Sequence, residues 1–144
     1  METQTYATHR RLVPLYHGVL FFMLVLTLIG SLVNLYLSLG DHQRIYSASL
    51  IVVLVISSLM LFVFCRTFAL KAQDRAIRAE ENLRHFVLTG KLLDPRLETL
   101  QIVALRFAPD AEFVALARQA ADENLAPDAI KRAVKQWKPD TYRV

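Results

Sequence analysis

The sequence predicts an all-α membrane protein, built from a two-helix transmembrane hairpin, a second helix extended into the cytoplasm and a small C-terminal three-helix tail. Two observations predict the hairpin: residues 12–40 and residues 45–65 contain no Asp, Glu, Lys or Arg over 29 and 21 positions. About 20 apolar residues are enough for a helix to cross a bilayer. The third observation is composition, since 54% hydrophobic and 21% charged residues must be segregated along 144 positions. A disordered chain is excluded by the apolar content, and a disulfide framework by the single cysteine.

The predicted segments follow one another without long linkers. A cytoplasmic N-terminal segment (1–15) leads to the first transmembrane helix (16–37), and a short external loop (38–47) precedes the second (48–70). A juxtamembrane stalk helix (71–88) and a cytoplasmic helical tail domain (89–144) complete the chain. Gly40-Asp41 is typical of a turn. Because the loop is short, the two spans must run antiparallel.

Basic residues set the expected orientation. They lie before the first span and after the second, whereas the connecting loop contains only Arg44 beside Asp41. The positive-inside rule therefore predicts that both termini are cytoplasmic. We expect the flanking basic residues, together with three on the last helix, to contact lipid headgroups or a partner. These residues are Arg10, Arg11, Arg66, Lys71, Arg75, Arg78, Lys131, Arg132 and Lys135.

Polar residues in the first span share one helix face. Their spacing of 4, 3 and 4 places Thr27, Ser31, Asn34 and Ser38 together, beside Gly30. Ser57 and Ser58 supply small residues on the second span. We interpret these seven residues as helix–helix packing positions, with a polar conduit or a partner-helix site as the alternatives. Neither span has a charged residue at its centre, which favours packing over transport.

The stalk is predicted to continue the second span as one helix, because no Gly or Pro occurs between Cys65 and Gly90. Ala69, Ala72, Ala76, Ala79 and Leu83 keep a spacing of three or four residues, and Asp74–Arg78, Glu80–Arg84 and Glu81–His85 are candidate ion pairs. A solvated stalk is the default interpretation, with a coiled coil or a lipid-binding segment as alternatives.

Three short helices are predicted in the tail, at about 96–107, 110–123 and 127–137. Pro109 and Pro127 mark helix starts, and the Gly90 to Pro95 segment marks a break. The predicted core is Ile102, Leu105, Phe107, Phe113, Leu116, Ala120, Leu125, Ile130, Val134 and Trp137. A bundle of about 50 residues is marginal alone, so we expect it to pack on the stalk, the membrane or a partner.

No catalytic, cofactor or metal residues are predicted. The four histidines have no metal-ligand spacing, and His17 lacks a convincing second haem ligand because Met60 lies too deep. Lys131, Arg132 and Lys135 on the last helix could imitate a nucleic-acid reader. However, residues 71–144 contain 13 basic and 11 acidic residues, so their net charge is only +2, which disfavours nucleic acid.

Four segments together resemble a bacterial family of small two-span proteins that carries only a domain-of-unknown-function label. The segments are residues 6–10 with 13–17, residues 73–84, residues 101–108, and residues 130–131 with 137–143, including Gln73-Asp74-Arg75 and Trp137. The resemblance covers nearly the whole chain and implies a bacterial inner-membrane protein. It implies no reaction.

The functional hypothesis is a non-enzymatic inner-membrane accessory, scaffold or assembly subunit. Its expected partners are membrane lipids and either a second copy or a larger integral-membrane complex, with no cofactor. One alternative is a small redox or transport-associated subunit that uses His17 and the polar face. The other is membrane-tethered nucleic-acid binding through Lys131, Arg132 and Lys135.

Overall fold

A computed structural model describes residues 4–8 and 11–140, and their regular structure is helical throughout. A π-helical turn (Pro14–Leu20) leads into α1 (Phe21–Leu37), which is followed by α2 (His42–Thr89), α3 (Thr99–Leu105), α4 (Asp110–Asp122) and α5 (Pro127–Ala133). The predicted fold class is confirmed: two long apolar helices precede three short C-terminal ones. The chain divides into two compact units. Residues 12–68 form the first, which we call the hairpin unit, and residues up to 11 with 69–144 form the second, which we call the tail unit.

The two long helices of the chain are apolar enough to span a membrane. The segment Pro14–Leu37 and the helix His42–Thr89 contain 18-residue windows with mean hydropathies of 2.3 and 2.8. Only 6% and 17% of those windows are buried inside the protein. A core helix of a soluble protein would be mostly buried, so these helices direct apolar side chains outward.

A tight turn joins the two helices, as Gly40-Asp41 predicted. Gly40 adopts φ +98°, in the left-handed region that glycine favours. The Asp41 carboxylate accepts the backbone N–H groups of Gln43 (3.0 Å) and Arg44 (3.2 Å), which satisfies two of the free donors at a helix start. Helix α2 therefore begins at His42, inside the segment expected to be loop (38–47).

The opposite end of the hairpin unit is closed by aromatic contacts. Tyr16, in the π-helical turn, stacks on Phe62 of α2 with ring centroids 4.3 Å apart, and its hydroxyl donates to the Phe62 carbonyl. Phe21 also lies against Phe62, at 6.1 Å. The π-helical turn is a difference from the regular helix expected there, since Pro14 fixes a helix start but carries no signal for the wider turn.

The tail unit has its own apolar core, and the predicted core residues are confirmed. Phe107, Phe113, Leu105 and Ile130 are the largest fully buried side chains. Ile102, Leu116, Ala120 and Val134 are also buried, while Leu125 and Trp137 are partly buried against this core. Helices of 7, 13 and 7 residues are too short to be stable alone, so the shared core holds them.

Two helix boundaries in the tail unit differ from the prediction. Helix α3 begins at Thr99 rather than near residue 96, because Glu98 forms a capping box in which its N–H donates to the Gln101 side chain at 2.7 Å. Helix α5 ends at Ala133 rather than near residue 137, because Val134 turns to an extended conformation. The N–H of Lys138 then donates to the Phe107 carbonyl at 2.8 Å, and the Trp137 ring packs 4.6 Å from that of Phe107.

Arg84 connects α2 to the start of α4 within the tail unit. Its guanidinium lies 2.9 Å from Glu81 and 2.6 Å from Asp110, donates to the Ala108 carbonyl at 2.8 Å and sits 4.2 Å above the Phe113 ring. The predicted Glu80–Arg84 pair is therefore wrong, because Arg84 turns toward the acidic start of α4.

The other predicted stalk pairs are also wrong within the described residues. His85 does not pair with Glu81, since its Nδ1 lies 2.7 Å from the Lys91 carbonyl instead. Asp74 and Arg78 form no ion pair in the described part of the chain.

Replacing Arg84 by Met should destabilise the tail unit by about 3–5 kcal/mol, because it leaves the Glu81 carboxylate buried without its partner. The Arg84→Met, Glu81→Met double variant should lose less, since no charge stays buried. Hydrogen exchange of α4 amides in the full chain measures the free energy of opening. Equal losses in the single and double variants would contradict this account of the pair.

Candidate functional site

The candidate functional features are helix faces. In residues 4–8 and 11–140, no group of three or more His, Cys, Asp or Glu side chains is placed to hold a metal ion. The surfaces singled out by the sequence are the polar face of the first span and the basic residues near the membrane ends and on α5.

The inward face of the hairpin unit repeats every seven residues on both helices. Along α1 and just after it, Leu24, Leu28, Ser31, Leu35 and Ser38 are buried or half-buried at this spacing, with Val25 half-buried beside them. On the facing part of α2, the residues at this spacing are Ile45, Ala48, Val52, Val55, Leu59 and Phe62, with Ser49 and Ser58 half-buried beside them. Spacings of 3 and 4 are typical of two helices packed side by side. We call these inward-facing residues of the two helices the hairpin seam. Ala48 is the most buried of these residues, 1% exposed, and its small side chain suits close approach of the backbones.

The predicted polar face divides between this seam and its flank. Ser31 and Ser38, each 5% exposed, lie in the seam. Thr27, Gly30 and Asn34 lie at its edge and are exposed. On α2, Ser58 is half-buried and Ser57 is exposed. The structure therefore brings only part of the predicted set into the hairpin's interior.

Four of the five hydroxyl groups of this set, all but that of Ser57, bond to their own helices. Thr27 donates to the Met23 carbonyl at 2.7 Å and Ser31 to the Leu28 carbonyl at 2.8 Å. Ser38 and Ser58 donate in the same way to the carbonyls of Asn34 and Leu54. Small size, rather than a bond across the helices, is what these residues contribute to packing.

Asn34 differs from the hydroxyl residues around it. Its side chain is exposed, and within residues 4–8 and 11–140 its amide makes no hydrogen bond. Gly30 lies one turn earlier, and a side chain added there would meet no atom within 4 Å. Asn34 and Gly30 therefore form an uncovered notch with an unused amide, on the flank of the hairpin seam.

The predicted basic residues are not gathered in one patch. Arg10 lies outside the described residues. Arg11, Lys71, Arg75, Arg78, Arg132 and Lys135 are exposed, and Arg66 and Lys131 are half-buried. On α5, Lys131 pairs with Asp128 at 3.3 Å. The backbone N–H of Lys135 donates to Glu112 at 2.9 Å, which ties the end of α5 to the first turn of α4.

Arg132 binds the N-terminal segment, a contact that the sequence did not suggest. Its guanidinium donates to the Tyr6 hydroxyl at 3.3 Å and lies 5.1 Å from the Tyr6 ring centroid. The hydrogen bond with Tyr6 raises the pKa of Arg132 above its usual range. Beside it, the N–H of Asp140 donates to the Gln4 side chain at 2.7 Å. The segment around Tyr6 is thus part of the tail unit.

His17, which the redox or transport alternative would use, contacts only residues of its own turn in the described part of the chain. His17 Nδ1 accepts the Val13 N–H at 3.0 Å, within its own turn. The His17 ring meets the Tyr16 ring edge-on at 5.1 Å. Cys65 is an exposed free thiol.

Ser31→Leu should destabilise the hairpin unit by about 1–3 kcal/mol, because the added side chain overfills a seam position that is 5% exposed. Ser31→Ala should cost less than about 1 kcal/mol, since only a bond within the same helix is lost. Thr27→Leu is the matched control on the exposed flank and should be tolerated. Hydrogen exchange of α1 amides in the detergent-solubilised chain measures the loss of stability in all three variants. Equal losses in Ser31→Leu and Thr27→Leu would contradict the assignment of Ser31 to the packed face of α1.

Comparison with known proteins gives one match. The model of a family described as "Family of unknown function (DUF6526)" matches residues 1–144. No curated protein and no solved structure matches the chain.

Proposed function

We propose that this chain, which belongs to the DUF6526 family of unknown function, is a non-enzymatic accessory, scaffold or assembly subunit of the bacterial inner membrane. It acts through helix–helix contacts, either with a second copy or within a larger membrane complex. It crosses the membrane twice, with both termini in the cytoplasm.

The exposed apolar surface supports insertion into a membrane. Two helices long enough to span a bilayer are joined by a turn of four residues and leave most of their apolar side chains uncovered. Arg44, near the turn, is paired with Asp41 at 3.3 Å, whereas Lys71 and Arg78, which follow the second span, form no ion pair with any residue that the structure describes. The contact of Tyr6 with Arg132 also favours one compartment for the N-terminal segment and the tail.

Asn34 is the observation that carries the proposal. An amide has two donor hydrogens and an accepting oxygen, and hydrocarbon offers no partner for them. The hydroxyls nearby are satisfied within their own helices, so Asn34 is the residue of this flank that requires an outside group. The empty space at Gly30, one turn away, allows another helix to approach closely. A partner helix with a polar side chain at this depth fits both features.

The two alternative functions have less support. Nδ1 of His17 accepts the Val13 N–H, which leaves only Nε2 for a ligand, and Lys131 and Arg132 on α5 are engaged by Asp128 and Tyr6. We therefore propose neither a redox or transport role nor nucleic-acid binding.

Asn34→Leu should weaken the association about three- to twenty-fold, which corresponds to the roughly 0.6–1.7 kcal/mol measured for hydrogen bonds between membrane helices. Leu keeps a similar size but removes the amide. The measurement is native mass spectrometry of the full chain extracted gently from its own membrane, which reports bound copies and partners at their stoichiometry.

Thr27→Val is the matched control, because Thr27 lies on the same flank but bonds to its own helix. It should leave the assembly unchanged. A wild-type chain that is monomeric in these extracts, or an Asn34→Leu variant that assembles like Thr27→Val, would refute the proposal.

A further inference from the structure

The C-terminal half of α2 has two different faces within the tail unit. One face covers the domain core, with Ile77 and Glu81 each 6% exposed. The other contains apolar residues spaced by 4, 3, 4 and 3, and every one of them is exposed. This set, which we call the stalk face, is Ala72, Ala76, Ala79, Leu83 and Phe86.

The stalk face is an uncovered apolar surface on a segment of mixed charge. Leu83 is 63% exposed and Phe86 is 50% exposed, and Val87, beside them, is 74% exposed. Large apolar side chains grouped in this way mark an interaction surface. Their seven-residue repeat is the pattern of a coiled coil, whose heptad positions are labelled a to g and whose apolar residues occupy a and d. Ala76 and Leu83 stand at a positions, and Ala72, Ala79 and Phe86 stand at d positions.

We propose that the stalk face pairs in parallel, and in register, with the stalk face of a second copy. The inference rests on the proposed function in one respect: two copies inserted in the same membrane with the same orientation run parallel. It goes further by naming the partner and the surface.

Charges beside the stalk face favour this occupant. Arg75 stands at the g position and Glu80 at the e position, and both are exposed. Neither forms an ion pair with another residue in the part of the chain that the structure describes. In a parallel pair, residue g of one helix meets residue e five positions later on the other. Arg75 of each copy therefore meets Glu80 of the second copy.

An antiparallel pair would not use these charges. There, g positions face g positions, and the other g positions of the segment are Asn82 and Thr89, neither of which is acidic. A basic side chain would face a neutral or a basic one, so the parallel arrangement is the one with complementary charge. The three alanines let the helices approach closely, while Leu83 and Phe86 supply the apolar area that pairing buries.

Cysteine crosslinking of the full chain in native membranes tests the register. In a Cys65→Ala background, Ala72→Cys and Ala79→Cys should each form a covalent homodimer under a mild oxidant, since equivalent d positions adjoin in a parallel pair. Arg78→Cys is the matched control, because Arg78 is exposed on the flank of α2, between the stalk face and the face that covers the core. We expect its crosslinked yield to be at least ten-fold lower.

Charge reversal tests the orientation independently. In the Ala79→Cys chain, Arg75→Glu and Glu80→Arg should each lower the rate of dimer formation several-fold, because like charges would meet. The Arg75→Glu, Glu80→Arg double variant should recover the original rate within about two-fold. Such a recovery would assign the loss in the single variants to the charges that meet across the pair.

Three outcomes would overturn the inference: no homodimer, a homodimer from only one of the two cysteine positions, or a double variant as slow as the singles. Capture of a different protein at Ala79→Cys in place of the homodimer would also overturn it. The proposed function is tested separately at Asn34. Loss of assembly in Asn34→Leu without crosslinking at the stalk face would leave that function standing and refute parallel pairing. Crosslinking at the stalk face together with an unchanged assembly in Asn34→Leu would support parallel pairing and refute the helix contact proposed at Asn34.

Discussion

Uncovered apolar surface on the two long helices is the constraint on which the rest of this molecule depends. Each Å² of such surface kept from water contributes about 25 cal/mol, so a pair of mostly uncovered apolar helices favours an apolar medium such as the membrane interior proposed for this chain. Helices also satisfy their own backbone groups, which that medium requires. Within it, the seam between α1 and α2 is free to use small residues, and the Asp41 cap and the Tyr16–Phe62 contact close its two ends.

The tail unit obeys a different rule, since its helices are short and its core is small. Phe107, Phe113 and Ile130 are almost completely buried, yet helices of seven residues have little stability of their own. Polar contacts at helix ends therefore matter here more than elsewhere: the Glu98 capping box, Asn124 in the left-handed conformation after α4, and Arg84 at the start of α4. Arg96 also pairs with Asp94 and Asp122 near two helix ends. The hydrogen bonds that Arg96 donates from its side chain and its backbone lower the pKa of Asp94 to about 2.

Much of the fold was predictable because its signals are local. Neighbouring residues alone specify the structure at these signals, which are the charge-free runs, Gly40, Gly90 and the helix-starting prolines. Local signals do not show which face of the first long helix packs against α2. Both sides of a membrane helix are apolar, so hydropathy does not separate the seam position Ser31 from the flank position Asn34, three residues later. The partners of Arg84 and Arg132 escaped prediction because they lie 26 and 126 residues away along the chain.

The contact between Tyr6 and Arg132 also bears on the order in which the protein forms during translation. Tyr6 leaves the ribosome early, but its partner is made only after both long helices have been synthesised. Both long helices are therefore synthesised before this contact can form, and in the proposed topology the N-terminal segment stays on the cytoplasmic side until α5 is made. In the proposed topology, a hairpin inserted the wrong way round would keep Tyr6 and Arg132 together on the wrong side, whereas insertion of only one helix would separate them. Closure of this contact thus distinguishes a chain that has inserted both helices from one that has stalled after the first.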